Sequence, residues 1–174
     1  MRRYTDPRIK YIRLPHRGLG ALAESYNTAL NAATGDLVAV LEGDDEWLPR
    51  KLELQVKAFD DPQTTLCWGS CLVINGEHAV MRRWVLPRLA RRDMSLPELF
   101  RILVRWNIMS PALTVMVRRN ALERIGGFSQ VGSSLFVDLP TWLKISASAA
   151  GRAVFINEDI GLYRIYSSNT GTVQ

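Results

Sequence analysis

The sequence predicts an α/β fold, its strands and helices forming one layered structure, and three observations lead to it. Short apolar runs alternate with amphipathic helical stretches along the first part of the chain. The composition, 47% hydrophobic over 174 residues, supports one sizeable core and gives no sign of a domain boundary. The run Asp36 to Pro49 takes an apolar strand straight into clustered carboxylates, and open α/β sheets bind ligands at the carboxyl ends of their strands.

Taken in order, Arg8 to Leu14 reads as a first short strand. A helix follows across Ala21 to Ala33, where Leu22, Tyr26, Ala29, Leu30 and Ala33 recur near helical spacing before Gly35 stops it. Leu37 to Leu41 is apolar throughout, as in a strand buried on both faces of a parallel sheet. Pro49 suits the first turn of a second helix, with Leu52, Val56 and Phe59 on its inner face and Asp60-Asp61-Pro62 at its end. Leu66 to Ile74 and His78 to Val85 read as two strands around Asn75-Gly76, a dipeptide that favours a type I′ hairpin turn. Ser95-Leu-Pro-Glu98 has the capping-box pattern and opens a helix through about Trp106. Leu113 to Val117 is an apolar strand, and Asn120 to Ile125 is a short helix closed by Gly126-Gly127. Leu139 to Ala149 is a helix with Trp142, Leu143 and Ile145 turned inward, and Ala153 to Asn157 is a last buried strand. Trp47, Trp142 and Phe128 are read as packing residues, because aromatic side chains carry much of core burial.

Composition excludes several classes. No apolar run approaches the ~20 residues of a membrane span, and the start, Met1-Arg-Arg-Tyr-Thr-Asp6, lacks the apolar core of a signal peptide. A cytoplasmic protein is expected. Cys67 and Cys71 lie four apart with no accompanying His/Cys set, which suits reduced core residues. His16 and His78 have no partners at ligand spacing. The net charge of +5 is local, since residues 81 to 106 hold seven arginines against Asp93 and Glu98. Arg82, Arg83, Arg88, Arg91 and Arg92, interleaved with Trp84, Leu86 and Leu89, suit an anionic partner: lipid headgroups in a peripheral contact at the inner membrane face, a phosphorylated acceptor or nucleic acid. A solvated helical face is the plainer alternative. Of the three partners, nucleic acid is the one not expected.

Glu42, Asp44 and Asp45 place three hard oxygen ligands within four residues. That chemistry suits Mg²⁺ or Mn²⁺, which usually keep some waters and take substrate phosphates as further ligands. A solvated turn that caps the next helix is the alternative. Asp138 stands just before a predicted helix, where an N-cap role competes with general-base work. Asn107 and Ser110 precede an apolar strand and are candidates for lining an acceptor pocket, with ordinary loop roles equally open.

Five segments resemble the inverting, family 2 glycosyltransferases of the GT-A fold. Leu41-Glu-Gly-Asp-Asp-Glu-Trp-Leu-Pro49 is similar to that family's Asp-x-Asp-Asp motif followed by Trp-x-Pro, and Tyr26-Asn27 with Thr34-Gly35-Asp36 resembles the helix before it. Arg118-Arg-Asn-Ala-Leu-Glu-Arg-Ile-Gly-Gly-Phe128 resembles its Arg-Arg…Gly-Gly-Phe segment near the acceptor site. Asp138 with Trp142-Leu143-Lys144, then Tyr163-Arg164, fall where its catalytic Asp and closing Tyr-Arg-x-His belong. The resemblance implies a Rossmann-like GT-A sheet, a nucleotide-diphospho-sugar donor, and a carbohydrate or lipid-linked acceptor in envelope or polysaccharide synthesis. It also implies a mixed sheet flanked by helices, Asp138 as the base, Asp44 and Asp45 as metal and donor ligands, and Glu42 assisting them.

The departures are specific. Glu42 replaces an Asp, Val137 replaces the Glu before the catalytic Asp, and Tyr166 replaces the closing His. The family's first two strands have no counterpart, and Arg8 to Leu14 resembles its third. Residues 1 to 174 are therefore expected to form one N-terminally truncated domain, prone to self-association along an unpaired strand edge. Three alternatives stay open: a non-catalytic sugar- or nucleotide-binding remnant, a basic membrane-associated module, and a metal-dependent nucleotidyltransferase.

Overall fold

Two long strands set the frame. The computed structural model describes residues 5 to 132, 136 to 148 and 150 to 166. At its centre, β3 (Thr64–Ile74) and β7 (Arg152–Arg164) run parallel along most of their length. The outer edge of each is shared by two short antiparallel strands. β3 carries β6 (Met116–Arg118) near its start and β4 (Val80–Arg83) near its end. β7 carries β5 (Met94–Ser95) near its start and β2 (Glu46–Trp47) near its end. β1 (Leu37–Ala39) pairs with β6, which completes the seven-stranded mixed sheet.

Strand side chains alternate between faces, and the core divides accordingly. Leu66, Trp68 and Val117 point into the larger cluster with Leu99, Leu103, Trp142 and Ile145. These residues come from the face covered by α1 (Leu22–Ala32), α3 (Leu96–Leu103), α4 (Arg119–Arg124) and α5 (Asp138–Ser148). Cys67 and Met116 point the other way, toward Phe59 beyond α2 (Lys51–Lys57). Both cysteines are buried and unbridged, and burial pushes each thiol up to about 12.

The structure corrects several expectations. Arg8 to Leu14 is not a strand. It runs irregularly beside α1, held by Lys10 Nζ on the Ala32 carbonyl at 2.6 Å, and leaves Ile9, Tyr11, Ile12 and Leu14 exposed. Its apolar alternation finds no neighbouring strand to pair with. β1 is only half-buried and its partner is antiparallel, so it is not the doubly covered parallel strand expected. Among the described residues, no strand occupies its other edge. The Asn75-Gly76 turn is not type I′. Asn75 Oδ1 accepts from the Glu77 and Ala79 amides, and the positive φ falls on His78 at 67°. Ser95 Oγ does accept from the Glu98 amide at 3.4 Å, but the Glu98 carboxylate goes to Arg92 and the helix stops at Leu103. The last strand continues beyond Asn157, because the register with β3 shifts from Ile156 to Asp159 and absorbs Asn157 and Glu158 as an irregularity.

The inner face of α2 is the largest reversal. Leu52 and Val56 are 46% and 47% exposed, whereas Lys51 and Gln55 are fully buried. Only Phe59 lies where the apolar periodicity put it. Gln55 Nε2 donates to the Thr114 carbonyl at 2.9 Å, Lys51 donates to Gln55 Oε1, and the Lys51 ammonium stands 4.5 Å from the Trp47 ring centroid. A hydrogen-bonded polar pair thus satisfies a backbone carbonyl that an apolar face would orphan.

Burial holds the Lys51 pKa down, at about 8. A depressed lysine penalises the fold while it stays charged, so its penalty is complete below pH 8 and fades as pH rises toward the unfolded value. Wild type minus Lys51→Met should therefore gain stability between about pH 8 and 10, by on the order of 2–3 kcal/mol. Paired denaturant titrations across that range check this, and a flat difference would mean that Lys51 is not desolvated.

Candidate active site

Tyr26-Asn27, the acidic turn, Gly126-Gly127-Phe128 and Tyr163-Arg164 are distant in sequence, and the fold joins them at one end of the sheet. β1 ends at Ala39, and the chain then crosses to β2 on the opposite edge through a turn closed by Asp45 N–H on the Glu42 carbonyl at 3.2 Å. Glu42, Asp44 and Asp45 are all in that turn. β2 pairs with the end of β7, Glu46 opposite Leu162, so the turn is carried onto Arg164.

Arg164 organises the turn. Its amide donates to Asp45 Oδ1 at 2.9 Å, and its guanidinium donates to the Asp44 carbonyl at 2.8 Å, the Asn75 carbonyl at 3.1 Å and Glu46 Oε1 at 2.5 Å. Tyr166, where the resemblance expects a histidine, donates its hydroxyl to Asp44 Oδ2 at 3.0 Å. A phenol thus occupies that carboxylate oxygen. His78, which has no partner at ligand spacing in the sequence, is exposed and lies 3.2 Å from Glu46 Oε1 and 3.4 Å from the Arg164 guanidinium. The hairpin that brings it there could not be anticipated from spacing in the sequence.

Helix α1 supplies the second wall. Tyr26 donates to Glu42 Oε1 at 2.8 Å, and its ring meets Phe128 edge-on with centroids 5.2 Å apart. Beside it, Asn27 grips the Phe128 backbone from both sides, accepting its N–H at 2.7 Å and donating to its carbonyl at 2.9 Å. Gly127 makes this grip possible. Its φ is 91°, and a Cβ there would overlap the Asn27 carboxamide. Phe128 and Trp142 are buried, as expected of packing residues, and Trp47 is half-buried.

Asp138 opens α5, half-buried, and accepts from Asn107 Nδ2 at 3.2 Å. Burial raises its pKa, while hydrogen bonds from the Leu139 amide and Asn107 oppose the rise. It is near enough for its charge to help raise Glu42 and Tyr26, although burial is the main cause in both. Asp45 is pushed up to about 7, first by burial and then by Asp44 and Glu42. Ser110, the other candidate beside Asn107, is half-buried ahead of the Ala112–Thr114 turn.

The carboxylates do not form a closed cage. Among the described residues, no three His, Cys, Asp or Glu side chains converge to hold a metal. Glu42 is turned to Tyr26 and Asp44 to Tyr166. Asp45 Oδ2, however, is buried without a hydrogen-bond partner. An orphaned carboxylate oxygen among like charges fits a hard divalent cation, and such ions need only one or two protein carboxylates when phosphates and water complete the shell.

The family model for glycosyl transferase family 2 matches residues 1 to 126. The chain belongs to that family. It is 31% identical over 85 residues to the Escherichia coli UDP-Glc:alpha-D-GlcNAc-diphosphoundecaprenol beta-1,3-glucosyltransferase WfgD, covering 49% of this chain and 32% of that protein. EpsE of Bacillus subtilis strain 168, a proposed glycosyltransferase, is 30% identical over 147 residues, covering 81% of this chain and 47% of EpsE. The chain thus spans half or less of the length of these relatives. In structure it resembles Staphylococcus aureus TarS residues 1–349 in complex with UDP-GlcNAc, with a TM-score of 0.64 at 18% identity over 89% of this chain and 42% of that one. The GT-A fold expected from the sequence is the fold observed.

The side chain of Arg164 is 17% exposed and ties two segments to the acidic turn. Arg164→Met should cost about 2 kcal/mol, a fall in Tm of roughly 4–8 °C. Thermal denaturation followed by circular dichroism checks it. An unchanged Tm would mean that the Asp45 bond to the residue 164 amide holds the turn unaided.

Proposed function

We propose that this chain carries the catalytic face of an inverting glycosyltransferase that moves a sugar from a nucleotide-diphospho-sugar to an acceptor hydroxyl. One observation carries the reading: in a family 2 chain, the acidic turn and Asp138 converge at the same end of the sheet, close enough for Glu42 to feel Asp138. Raised carboxylates are unusual on a surface without a task and recur where a base or a cation site is built. The diphosphouridine-sugar named for WfgD, and the UDP-GlcNAc and UDP bound by TarS, support a nucleotide-sugar donor.

In this reading Asp138 accepts the proton of the acceptor hydroxyl. The oxygen then bonds to the anomeric carbon from the side opposite the diphosphate. The bond from that carbon to the diphosphate oxygen breaks, and the nucleoside diphosphate leaves with the electron pair. Approach from the opposite side inverts the anomeric centre. Asn107 holds the Asp138 carboxylate in place for this step. Asp44 and Asp45 would hold Mg²⁺ or Mn²⁺, with Glu42 behind them, and the bound ion would offset the charge that develops on the departing diphosphate. The acceptor is a carbohydrate or lipid-linked hydroxyl, and envelope or polysaccharide synthesis follows from that class.

Asp138→Asn keeps size and hydrogen bonding but removes the base, so turnover should fall by ~10²–10⁴-fold with UDP binding unchanged. Near-normal turnover would place the base elsewhere, whereas UDP binding with no turnover by the wild type would favour a donor-binding protein without this chemistry. Asn107→Ala removes a bond that favours the charged carboxylate, so the Asp138 pKa should rise further. The acid limb of the pH–rate profile should then move up by about one pH unit. Asp45→Ala should abolish the gain in Tm that Mn²⁺ with UDP gives wild type, and undiminished turnover in EDTA would remove the metal from the mechanism.

A further inference from the structure

A groove of about 380 Å³ is lined by Arg82, Trp84, Val85, Leu89, Trp106 and Asn107. That volume lies within the ordinary range of small-molecule sites. Asn107 connects it to Asp138, to which its Nδ2 donates at 3.2 Å. Its walls are Trp84, Val85, Leu89 and Trp106, with Arg82 along one side. Trp84 is braced edge-on against Tyr163 at 5.6 Å, one residue before Arg164, so the groove is fixed to the same strand that holds the acidic turn.

The outer part of the groove is apolar yet faces solvent. Val85 is 73% exposed and Trp106 58%. The arginines around it are not equivalent. Arg83 is paired with Asp159 at 2.8 Å, and Arg92 with Glu98. Arg82 instead lies over the Trp84 ring, 5.4 Å from its centroid, and among the described residues neither Arg82 nor Arg88 has a carboxylate partner. A guanidinium on an indole face, without a counter-ion, presents its donors to an incoming anion.

We propose that this groove is the acceptor subsite and that it takes a lipid-linked phosphate, an apolar chain joined through phosphate to the sugar that reacts. The reactive hydroxyl lies at the Asn107 end, the phosphate beside Arg82, and the chain along Val85 and Trp106. The assignment rests on the glycosyl-transfer reading of Asp138. The charge and the apolar wall together select this class. A free sugar offers no anion for Arg82, and a free phosphate leaves the exposed apolar wall uncovered.

The test uses the full chain with farnesyl diphosphate, inorganic pyrophosphate, phosphatidylglycerol vesicles, and UDP with Mn²⁺, each titrated by calorimetry and tryptophan fluorescence. Farnesyl diphosphate should bind and quench emission, at least tenfold more tightly than pyrophosphate. Arg82→Gln and Trp106→Ala, both substitutions of exposed residues, should each weaken it at least tenfold and leave UDP binding unchanged. Equal affinity for pyrophosphate, equal binding by the variants, or no binding overturns the proposal. So does loss of vesicle binding in the variants when farnesyl diphosphate does not bind, which would make the groove a membrane contact. Failure of UDP to bind while farnesyl diphosphate does would sink the transfer reading and leave the groove as a lipid-phosphate site. UDP binding without farnesyl diphosphate binding would sink the groove alone.

Discussion

The parallel ladder between β3 and β7 is the constraint from which the rest follows. Every other strand but β1 pairs directly with one of these two, and β1 is attached through β6. Because the two strands run the same way and end together, Ile74 opposite Arg164, one end of the sheet receives both the β3–β4 hairpin and the close of β7. Parallel pairing cannot be joined by a tight turn, so the connection from β3 to β7 must hold α3, β6, α4 and α5. That long excursion delivers Asn107, Phe128 and Asp138 to the end of the sheet where the acidic turn crosses.

Electrostatics at this end run against stability. Glu42 and Asp45 are raised mainly by burial and further by carboxylate neighbours, and Asp138 by burial. Arg164 offsets part of this, its side chain binding the Asp44 and Asn75 carbonyls and Glu46. The turn is tied to Arg164 while Asp45 Oδ2 is left without a hydrogen-bond partner. An arrangement of that kind is poor design for a fold alone and reasonable for a site whose charge is completed by what binds. Tyr26 and Tyr166 act similarly, each donating a hydroxyl hydrogen bond to a carboxylate without adding positive charge.

Much of this was legible in the residues, and the failures have identifiable causes. The helices at 22–32, 96–103, 119–124 and 138–148 were signalled by apolar periodicity with local start or stop residues, and such signals act within a turn or two. Asp44, Asp45 and Asp138 were visible because clustered or cap-position carboxylates stand out against an apolar neighbourhood. Asn27 stands out in the sequence only as part of a motif, and its two-sided grip on Phe128 spans 101 positions that no local pattern reports. Arg164 and Tyr166 were likewise motif letters whose partners lie about 120 residues back.

The sequence by itself determined the fold class, the apolar faces of most helices and the chemical types gathered in the acidic turn, because these depend on hydrophobicity and backbone preference within short stretches. Tertiary structure decided which edge each strand took. It left Arg8 to Leu14 unpaired, since a strand exists only where a neighbour offers its hydrogen bonds. It also turned α2 so that Lys51 and Gln55 lie beneath it while Leu52 and Val56 face out, because the Thr114 carbonyl needed a donor. Hydropathy has no knowledge of that carbonyl. A buried polar group is chosen by the partner it must satisfy, and that partner is present only once the chain has folded.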